Sequence, residues 1–284
     1  MIDALKNRVI RKLQGPIAPY TIRSFDQMSA ILSWILDLSD ETTGSLDFNG
    51  KSILEIGTGN YLNHPISFKV LGADRVLTID KFHHLSLEQS QSSLSQNALC
   101  RRYFSKRITE DQFRERFTPF MAEPLSLNRL QDLGIEYWAP FDLLEDRLDQ
   151  KFDVVFSYTV LEHLSESMLA DFLRASLVPM KPGGIAIHLI DLEDHKRPGN
   201  QPFEFLGDSR EWSESLCAER GNRVRASSYG RIFSEMKDEC KWTCAYQSVR
   251  FDPERPSSIR PEVQHVDERD LRTTTLLYVG EKIK

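Results

Sequence analysis

The chain has 284 residues, of which 40% are hydrophobic and 27% are charged, and its formal net charge is −6. This length suits one large α/β domain with additions, rather than two domains of equal size. The acidic balance gives no electrostatic reason to expect nucleic acid as a partner. No apolar run reaches the length of a membrane span and the start lacks a signal-peptide core, so we expect a cytoplasmic protein with no transmembrane segment.

Two helices are predicted ahead of the first strand. Residues 2–13 place apolar side chains at helical spacing among basic ones, which predicts a surface helix docked on the domain. A helix lying on a membrane surface is the alternative for this segment. Ser24 and Gln27 form a capping-box pattern, and the helix that follows carries its apolar face from Met28 to Leu36.

Strands and helices alternate from residue 51 onward, which predicts a parallel sheet with helices on both faces. We predict strands at 52–56, 75–79, 135–139, 152–157, 184–190, 241–249 and 272–279. We predict helices that begin near Asn63 and Leu87, and helices over 165–177 and 227–236. The predicted fold is therefore α/β and Rossmann-like, with a doubly wound, mostly parallel sheet of seven strands.

Two segments are longer than a single crossover connection requires, at about 100–134 and 191–222. Insertions at the carboxyl ends of parallel strands lie over the ligand crevice. We therefore expect both segments to cover the substrate side. In this division, residues 1–50 form an N-terminal helical extension and residues 51–284 form the main domain with its two insertions.

Residues 52–59, which read Ser-Ile-Leu-Glu-Ile-Gly-Thr-Gly, are the most informative stretch of the chain. A short β-favouring run contains Glu55, and Gly57 and Gly59 then allow a tight turn that can approach a ligand closely. An acid at a strand end suits a ligand with a cationic amine and hydroxyls, whereas a pyrophosphate prefers free N–H groups. The third glycine of a dinucleotide fingerprint is replaced by Leu62. These features favour S-adenosylmethionine over a dinucleotide.

Three further features follow later strands. Asp80 closes the second strand, where a carboxylate can accept hydrogen bonds from a ribose diol. Asp142 lies just beyond the third strand, where a carboxylate can accept from an adenine amine. The fourth strand leads into Leu-Glu-His within residues 152–163, and Met-Lys-Pro-Gly-Gly follows at 180–184.

In this order the features resemble class I S-adenosylmethionine-dependent methyltransferases, over about residues 51–191. The resemblance implies that Glu55 and the glycine loop hold the methionine part of the cofactor, Asp80 the ribose and Asp142 the adenine. Tyr61 stands where a further glycine would be, so the first turn is expected to be shaped differently. The resemblance assigns further cofactor contacts to Gly57, Thr58, Gly59, Lys81, Leu143 and Ser157.

The acceptor side of the site is predicted from ionisable residues that follow the fourth and fifth strands. Methyl transfer from a sulfonium is an in-line displacement, so the protein mainly aligns the acceptor and excludes water. A hydroxyl acceptor must also lose its proton. We predict that His195, or failing that His163, accepts this proton, with Asp191 or Asp194 orienting it. The expected reaction is O-methylation of a hydroxyl on a small molecule or a glycan. His188 is expected to be structural.

A metal ion is the alternative for these acids. Ubiquinone-type O-methyltransferases are similar in carrying Glu-x-x-Glu-His after the fourth strand, where the acids bind a divalent cation. Thr159 replaces the first Glu here, so we expect no metal at that place. The minority alternative is that Glu162, Asp191 and Asp194 bind Mg²⁺ or Mn²⁺.

Three other functions are weighed against this one. A cofactor-binding module without catalysis would use the acids and histidines for structure alone. A protein that binds NAD or a nucleotide sugar is disfavoured by Leu62. A nucleic-acid or protein methyltransferase is disfavoured by the acidic balance and by the lack of an aromatic-proline tetrapeptide after the fourth strand. The cysteines lack metal-ligand spacing, which predicts reduced thiols at Cys100, Cys217, Cys240 and Cys244.

Overall fold

The computed structural model describes residues 23–197, 199–252 and 254–283. Within these residues, seven strands form one sheet in the order β3-β2-β1-β4-β5-β7-β6. The strands are β1 (Ser52–Ile56), β2 (Arg75–Ile79), β3 (Ile135–Trp138), β4 (Phe152–Tyr158), β5 (Met180–Asp191), β6 (Cys240–Val249) and β7 (Thr273–Lys282). The pairing is parallel from β3 to β5, and β7 runs antiparallel to both β5 and β6. The predicted Rossmann-like α/β fold with seven strands is confirmed.

Helices cover both faces of this sheet. They are α1 (Phe25–Thr43), α2 (Asn63–Leu71), α3 (Leu87–Leu94), α4 (Cys100–Phe104), α5 (Glu110–Met121), α6 (Leu127–Asp132), α7 (Glu166–Leu177), α8 (Glu214–Arg220), α9 (Ala226–Ser234) and α10 (Glu268–Leu271). Among the described residues, no helix has both the length and the apolar character that crossing a membrane requires. The helix predicted over residues 2–13 lies outside the described residues.

Helix starts follow the capping signals in the sequence. Ser24 accepts a hydrogen bond from the Gln27 N–H at 3.1 Å and begins α1. Thr109 and Gln112 exchange both bonds of a capping box at the start of α5. Each cap satisfies an N–H group that has no partner inside its own helix.

The predicted bounds are confirmed for β1 and β2, whereas β5 begins earlier than residue 184. Phe152 pairs with Met180 and Val154 pairs with Ile185, so the residues between the two pairs form a bulge. A bulge inserts extra residues into one strand and leaves the ladder intact on either side. The Lys-Pro-Gly-Gly segment is therefore a bulge inside β5 and does not precede the strand.

Two apolar cores sandwich the sheet. On one face, α1, α2 and α5 contribute aromatic side chains that include Phe25, Phe68 and Phe117. On the other face, α7 and α9 contribute side chains that include Leu169 and Phe233. Strand β1 is buried along its whole length, as expected for a parallel strand covered on both faces.

The two long segments, at about 100–134 and 191–222, pack against different parts of the domain. Phe113 and Phe117 of α5 stack within the core formed by α1 and α2, and Arg116 donates to Asn49 Oδ1 at 3.0 Å. In the second segment, the Asn222 N–H donates to the Glu162 carbonyl, just beyond β4. Of the two segments expected over the substrate side, the second therefore lies at the carboxyl edge of the sheet. The contacts of the first place it on the flank of α1 and α2, because its aromatic side chains are part of that core.

Candidate functional site

The register of the parallel strands aligns their carboxyl ends at one edge. Ile56 pairs with Ile79 on one side and with Ser157 on the other, and Tyr158 pairs with Leu189. The residues that directly follow β1, β2, β4 and β5 therefore lie side by side. In open α/β sheets this edge is where ligands bind.

The glycine loop after β1 uses its N–H groups within the protein. Gly57 and Thr58 both donate to the Ile79 carbonyl, at 2.8 and 3.3 Å. Gly59 donates to Asp80 Oδ2 at 2.8 Å. A pyrophosphate site needs backbone N–H groups that point at the ligand. Because these three are already engaged, the loop does not form the phosphate nest of a dinucleotide site.

The two loop glycines are required for different reasons. Gly57 has a φ of 86° and Gly59 a φ of 61°, and residues other than glycine rarely adopt such positive φ values. A Cβ on Gly57 would come within 2.4 Å of Val160 Cγ2, whereas a Cβ on Gly59 would meet no heavy atom within 4 Å. Gly57 thus allows the loop to pack against the turn after β4. Gly59 is required by its backbone conformation alone.

Glu55 supports this loop from beneath. Thr78 Oγ1 donates to Glu55 Oε2 at 2.5 Å and lies 2.6 Å from Thr58 Oγ1. Because Thr78 has one hydroxyl proton and donates it to Glu55, Thr58 must donate to Thr78. His64 Nδ1 lies 3.3 Å from the other carboxylate oxygen. Both oxygens of Glu55 thus contact protein groups, and through Thr78 the carboxylate orients the Thr58 hydroxyl.

Asp80 is held rigidly and keeps acceptor capacity. Its Oδ2 accepts from Gly59, and its Oδ1 accepts from the Phe82 N–H at 2.9 Å. A carboxylate offers about four lone-pair sites, so each oxygen can accept a further hydrogen bond. The geometry therefore suits a diol whose hydroxyls donate to both oxygens.

Lys81 and Asp142 form an ion pair that links the residues following β2 and β3. Lys81 Nζ lies 2.8 Å from Asp142 Oδ2, and the Leu144 N–H donates to Oδ1 at 3.0 Å. Burial disfavours the charge of Asp142, but the hydrogen bonds from Lys81 and Leu144 outweigh this and lower its pKa. The hydrogen bond to Asp142 in turn raises the pKa of Lys81. An adenine amine at Asp142 would share this carboxylate with Lys81.

Leu143 and Ser157, the remaining cofactor candidates, are buried. Leu143 packs in the core on the α7 face. Ser157 Oγ lies 2.7 Å from Nδ1 of His188, its register partner on β5. Burial lowers the pKa of His188 to about 3, so its ring is neutral. The structure therefore directs the Ser157 hydroxyl to His188, and both side chains belong to the packing beneath the carboxyl edge.

The chain turns sharply after β4. Thr159 has a φ of 54°, a left-handed conformation that costs a β-branched residue free energy. Its N–H donates to the Leu189 carbonyl at 2.9 Å, which holds it against β5. The turn then continues as a short 3₁₀ segment over Leu161–His163. This turn places Glu162 and His163 at the end of β5.

Four ionisable side chains meet at the ends of β4 and β5. Glu162, His163 and His195 each place one ligand atom within 4.8 Å of the others. The rings of His163 and His195 lie edge to face with centroids 4.9 Å apart. His195 Nε2 lies 3.7 Å from Asp191 Oδ2. We name Glu162, His163, Asp191 and His195 the Glu–His cluster.

Burial dominates the electrostatics of the Glu–His cluster. It raises the pKa of Glu162 well above its usual range, with a further contribution from Asp191, and raises the pKa of Asp191 to about 6. Arg23 opposes both shifts to a smaller extent. Burial, together with the neighbouring His195, lowers the pKa of His163 to about 4, and burial also lowers the pKa of His195. Both imidazoles are therefore neutral near pH 7, and such shifted groups mark candidate functional sites.

Asp194 does not belong to this cluster. Its side chain is fully buried and pairs with Arg220, whose Nε donates to Oδ1 at 3.0 Å. Arg220 also contacts Asp208. The structure thus directs Asp194 to an ion pair that ties the second segment together, and Asp191 is the acid beside His195.

Several supporting groups were not predicted from the sequence. His64 and Thr78 hold Glu55, and Arg220 pairs with Asp194. The Cys217 carbonyl lies 3.3 Å from His163 Nδ1. A residue's hydroxyl or carbonyl carries no local signal of a distant partner. For Arg220 a local signal exists: it stands directly before Gly221, at the end of a capped helix in the second segment, so the end of this helix could have been predicted.

The strand order, with β7 reversed between β5 and β6, and the glycine loop after β1 together define the fold. The chain has the class I methyltransferase fold. No family model and no curated protein matches this chain. Among solved structures, an S-adenosylmethionine dependent methyltransferase from Mesorhizobium loti is 16% identical, covering 89% of this chain and 97% of its own, with a TM-score of 0.45.

Two further solved structures show the same level of similarity. The N-methyltransferase NodS from Bradyrhizobium japonicum WM9, in complex with S-adenosyl-L-homocysteine, is 12% identical over 98% of both chains, with a TM-score of 0.42. The magnesium protoporphyrin IX methyltransferase from Synechocystis PCC 6803 is 10% identical over 99% of this chain and 95% of its own, with a TM-score of 0.44. Similarity at this level carries no argument about substrate, so the assignment of this fold rests on the strand order above.

Proposed function

We propose that this protein transfers a methyl group from S-adenosylmethionine to a hydroxyl of a small molecule or a glycan. The observation that carries the proposal is that the glycine loop adjoins the Glu–His cluster. Val160 lies in contact distance of Gly57 and is followed by Glu162 and His163. A cofactor held by the loop and Asp80 would therefore present its reactive end toward ionisable side chains.

The cofactor assignment is supported by the hydrogen bonding of the loop. The N–H groups of Gly57, Thr58 and Gly59 are engaged within the protein, which suits a cofactor without phosphates. Asp80 keeps lone pairs for two donors, as the ribose diol of S-adenosylmethionine would provide. Asp142 is available beyond β3 for the adenine amine, together with Lys81.

The acceptor assignment is supported by neutral imidazoles beside the loop. His195 Nε2 is buried and has no hydrogen-bond partner within the described part of the chain. In its neutral form it can accept the proton of an acceptor hydroxyl, and Asp191 at 3.7 Å can stabilise the imidazolium that results. The acceptor oxygen then attacks the methyl carbon, the carbon–sulfur bond breaks, and S-adenosylhomocysteine leaves with the electron pair on sulfur. His163 is the second candidate for the proton acceptor.

Calorimetry and a product screen test this proposal. We expect one site for S-adenosylhomocysteine and no competition by NAD. Mass spectrometry should then find a methyl-sized gain on a member of a panel of hydroxyl-bearing small molecules and glycans, and no gain when the hydroxyl is blocked. Binding of NAD without S-adenosylhomocysteine would reject the cofactor. Transfer only to amine or carbon acceptors would reject the hydroxyl.

A further inference from the structure

Glu162 is the least satisfied ionisable side chain of the site. It is completely buried, and within the described residues its carboxylate has no well-formed hydrogen bond, although the backbone N–H groups of Glu162 and Asp191 oppose the rise that burial causes in its pKa. An ionised carboxylate in this environment is strongly destabilised unless a cation or hydrogen-bond donors compensate it. Buried polar groups in native proteins are nearly always paired, so an exception at a ligand edge indicates a missing partner.

His163 is oriented as a metal-binding histidine is oriented. Its Nδ1 lies 3.3 Å from the Cys217 carbonyl, which can only accept, so Nδ1 carries the proton and donates. This leaves Nε2 of the neutral ring with a free lone pair. Histidines that bind metals almost always donate the other ring N–H to a carbonyl or carboxylate, which fixes the tautomer. Here α8 of the second segment supplies that carbonyl.

His195 completes the set from the turn that follows β5. Its backbone N–H donates to the Arg220 carbonyl at 3.1 Å, which holds the residue against the end of α8. Its Nε2 is buried and lacks a hydrogen-bond partner in the described residues, with Asp191 Oδ2 at 3.7 Å. Two imidazoles and a carboxylate thus converge from the ends of β4 and β5, and the Glu162 oxygens and His195 Nε2 have no close hydrogen-bond partner in the described residues.

We propose that Glu162, His163 and His195 bind a divalent transition-metal ion of the zinc type. Two imidazole nitrogens and one carboxylate oxygen are a common ligand set for Zn²⁺ and its first-row neighbours, whereas Mg²⁺ and Ca²⁺ prefer oxygen alone. Zinc–ligand bonds of about 2.0–2.2 Å place tetrahedral ligand atoms roughly 3.3–3.6 Å apart. The ligand atoms here lie within 4.8 Å of one another, so small side-chain rotations bring them into range.

The ion would occupy the acceptor side of the site. Three protein ligands leave a tetrahedral ion one open position, which an oxygen ligand can fill. This step rests on the proposed function with one change: His195 is a ligand of the ion and no longer the proton acceptor, and an acceptor hydroxyl bound in the open position would lose its proton more readily. Asp191 would lie beside the ion and could accept the released proton.

Metal titration tests the site without any assay of turnover. The full-length chain with Cys244→Ser, which removes the exposed thiol, is stripped with a chelator and titrated with ZnCl₂ near neutral pH. We expect one tight site, and a Co²⁺ spectrum with tetrahedral bands and no thiolate band. His195→Ala and the isosteric Glu162→Gln should each weaken Zn²⁺ binding by more than about 100-fold, beyond what outer partners of a ligand contribute. His265→Ala, at an exposed histidine outside the cluster, is the matched control.

The two proposals fail separately in this design. Equal zinc affinity in the parent, Glu162→Gln and His195→Ala chains, with circular dichroism showing all three folded, would overturn the metal site. Absence of a tight site in the parent chain would do the same. Tight zinc binding that depends on Glu162 and His195, in a chain that binds no S-adenosylhomocysteine, would leave the metal site standing and reject the proposed function.

Discussion

The two halves of the carboxyl edge differ in how far their polar groups are satisfied. After β1 and β2, the loop N–H groups and Asp80 are paired with one another or with neighbouring backbone, and Glu55 is paired with the side chains of Thr78 and His64. After β4 and β5, Glu162 is buried and His195 is partly buried, and each has polar atoms that lack close partners in the described residues. A network of paired groups costs the folded state little free energy in the absence of a ligand. Unpaired buried groups lower the stability of the folded state until a ligand pairs with them.

The groups after β1 and β2 therefore form a rigid scaffold, whereas the groups after β4 and β5 are the candidates for proton transfer or ion binding. The first half can hold a cofactor with little rearrangement, because its side chains are fixed by protein contacts. The second half carries ionisable groups whose pKa values are shifted by burial, which is typical of sites that move protons or bind ions. Substitutions in the two halves should therefore change different measured quantities.

The largest expected effect is that of His195→Ala on turnover. A positioned proton acceptor contributes about 10²–10⁴-fold, so turnover should fall by that factor. The affinity for S-adenosylhomocysteine should stay nearly unchanged, since the loop and Asp80 are intact. Steady-state kinetics and calorimetry on the same sample measure the two effects, with His265→Ala as the control. Retained turnover would remove His195 from the chemistry and with it the contrast between the halves.

Asp194→Ala should lower the free energy of unfolding by about 3–5 kcal/mol. The substitution leaves the buried Arg220 guanidinium without its main partner, which is the costly way to break a buried ion pair. Urea denaturation of this variant can be compared with Asp171→Ala, which removes an exposed partner of Arg174 and should change the unfolding free energy by less than about 1 kcal/mol. Similar stability of the two variants would show that the Arg220 pair does not hold the second segment.

Gly57→Ala should destabilise the fold more than Gly59→Ala. Both introduce a side chain at positive φ, which costs about 1–2 kcal/mol, but only the methyl of the first meets Val160. Overpacking adds about 1–3 kcal/mol. Thermal unfolding should therefore rank the variants, and Val160→Ala should recover part of the loss in Gly57→Ala and none in Gly59→Ala. Equal losses without recovery would contradict the close contact between the loop and the turn after β4.

Asp80→Ala should weaken S-adenosylmethionine binding by about tenfold or more. Hydrogen bonds to a charged group are worth roughly 1.5–3 kcal/mol, and about 1.4 kcal/mol is a factor of ten. Calorimetry measures the change, and Asp149→Ala, at an exposed acid paired with Arg147, provides the comparison. Turnover at saturating cofactor should change far less than in His195→Ala. An unchanged affinity in the folded variant would remove Asp80 from the cofactor site.

The smallest expected effect is on the pH dependence of the unfolding free energy, through Asp153 at the opposite edge of the sheet. Burial disfavours the charge of Asp153, but hydrogen bonds from Lys181 and Ser52 outweigh this and bring its pKa to about 2. Because this value lies below the unfolded pKa of about 3.9, the contribution is nearly complete above about pH 5 and is lost as the pH falls toward about 2. Urea denaturation at several pH values should show this loss in the parent chain and a flatter profile in Asp153→Asn. Identical profiles would show that the pair contributes nothing.

Much of the half that follows β1 and β2 was predictable from the sequence, because its signals are local. A buried apolar run followed by glycines gave the bounds of β1, and the capping residue Ser24 gave the start of α1. The alternation of strands and helices then implies a parallel sheet, whose register aligns the carboxyl ends. The placement of Glu55, Gly57 and Asp80 near one edge follows from that register.

The roles of individual acids were decided by tertiary contacts. Asp191 ends β5 and Asp194 follows three residues later, yet the first lies beside His195 and the second is buried against Arg220. Likewise, Ser157 turns to His188, and Lys81 pairs with Asp142. Nothing in the local pattern separates these side chains, because each partner arrives from another strand or from the second segment.

The sequence by itself determined the sheet, its helices and the edge where a ligand can bind, because periodicity, glycines and caps act between near neighbours. Only the tertiary structure decided which polar groups at that edge are satisfied and which are left with free electron pairs. Glu162 and His163 are adjacent in the chain, but His195 reaches them only because β4 and β5 pair in parallel and α8 packs on the turn after β4. Hydrogen bonding and burial are properties of the assembled core, and they set the pKa values on which the proposed chemistry depends.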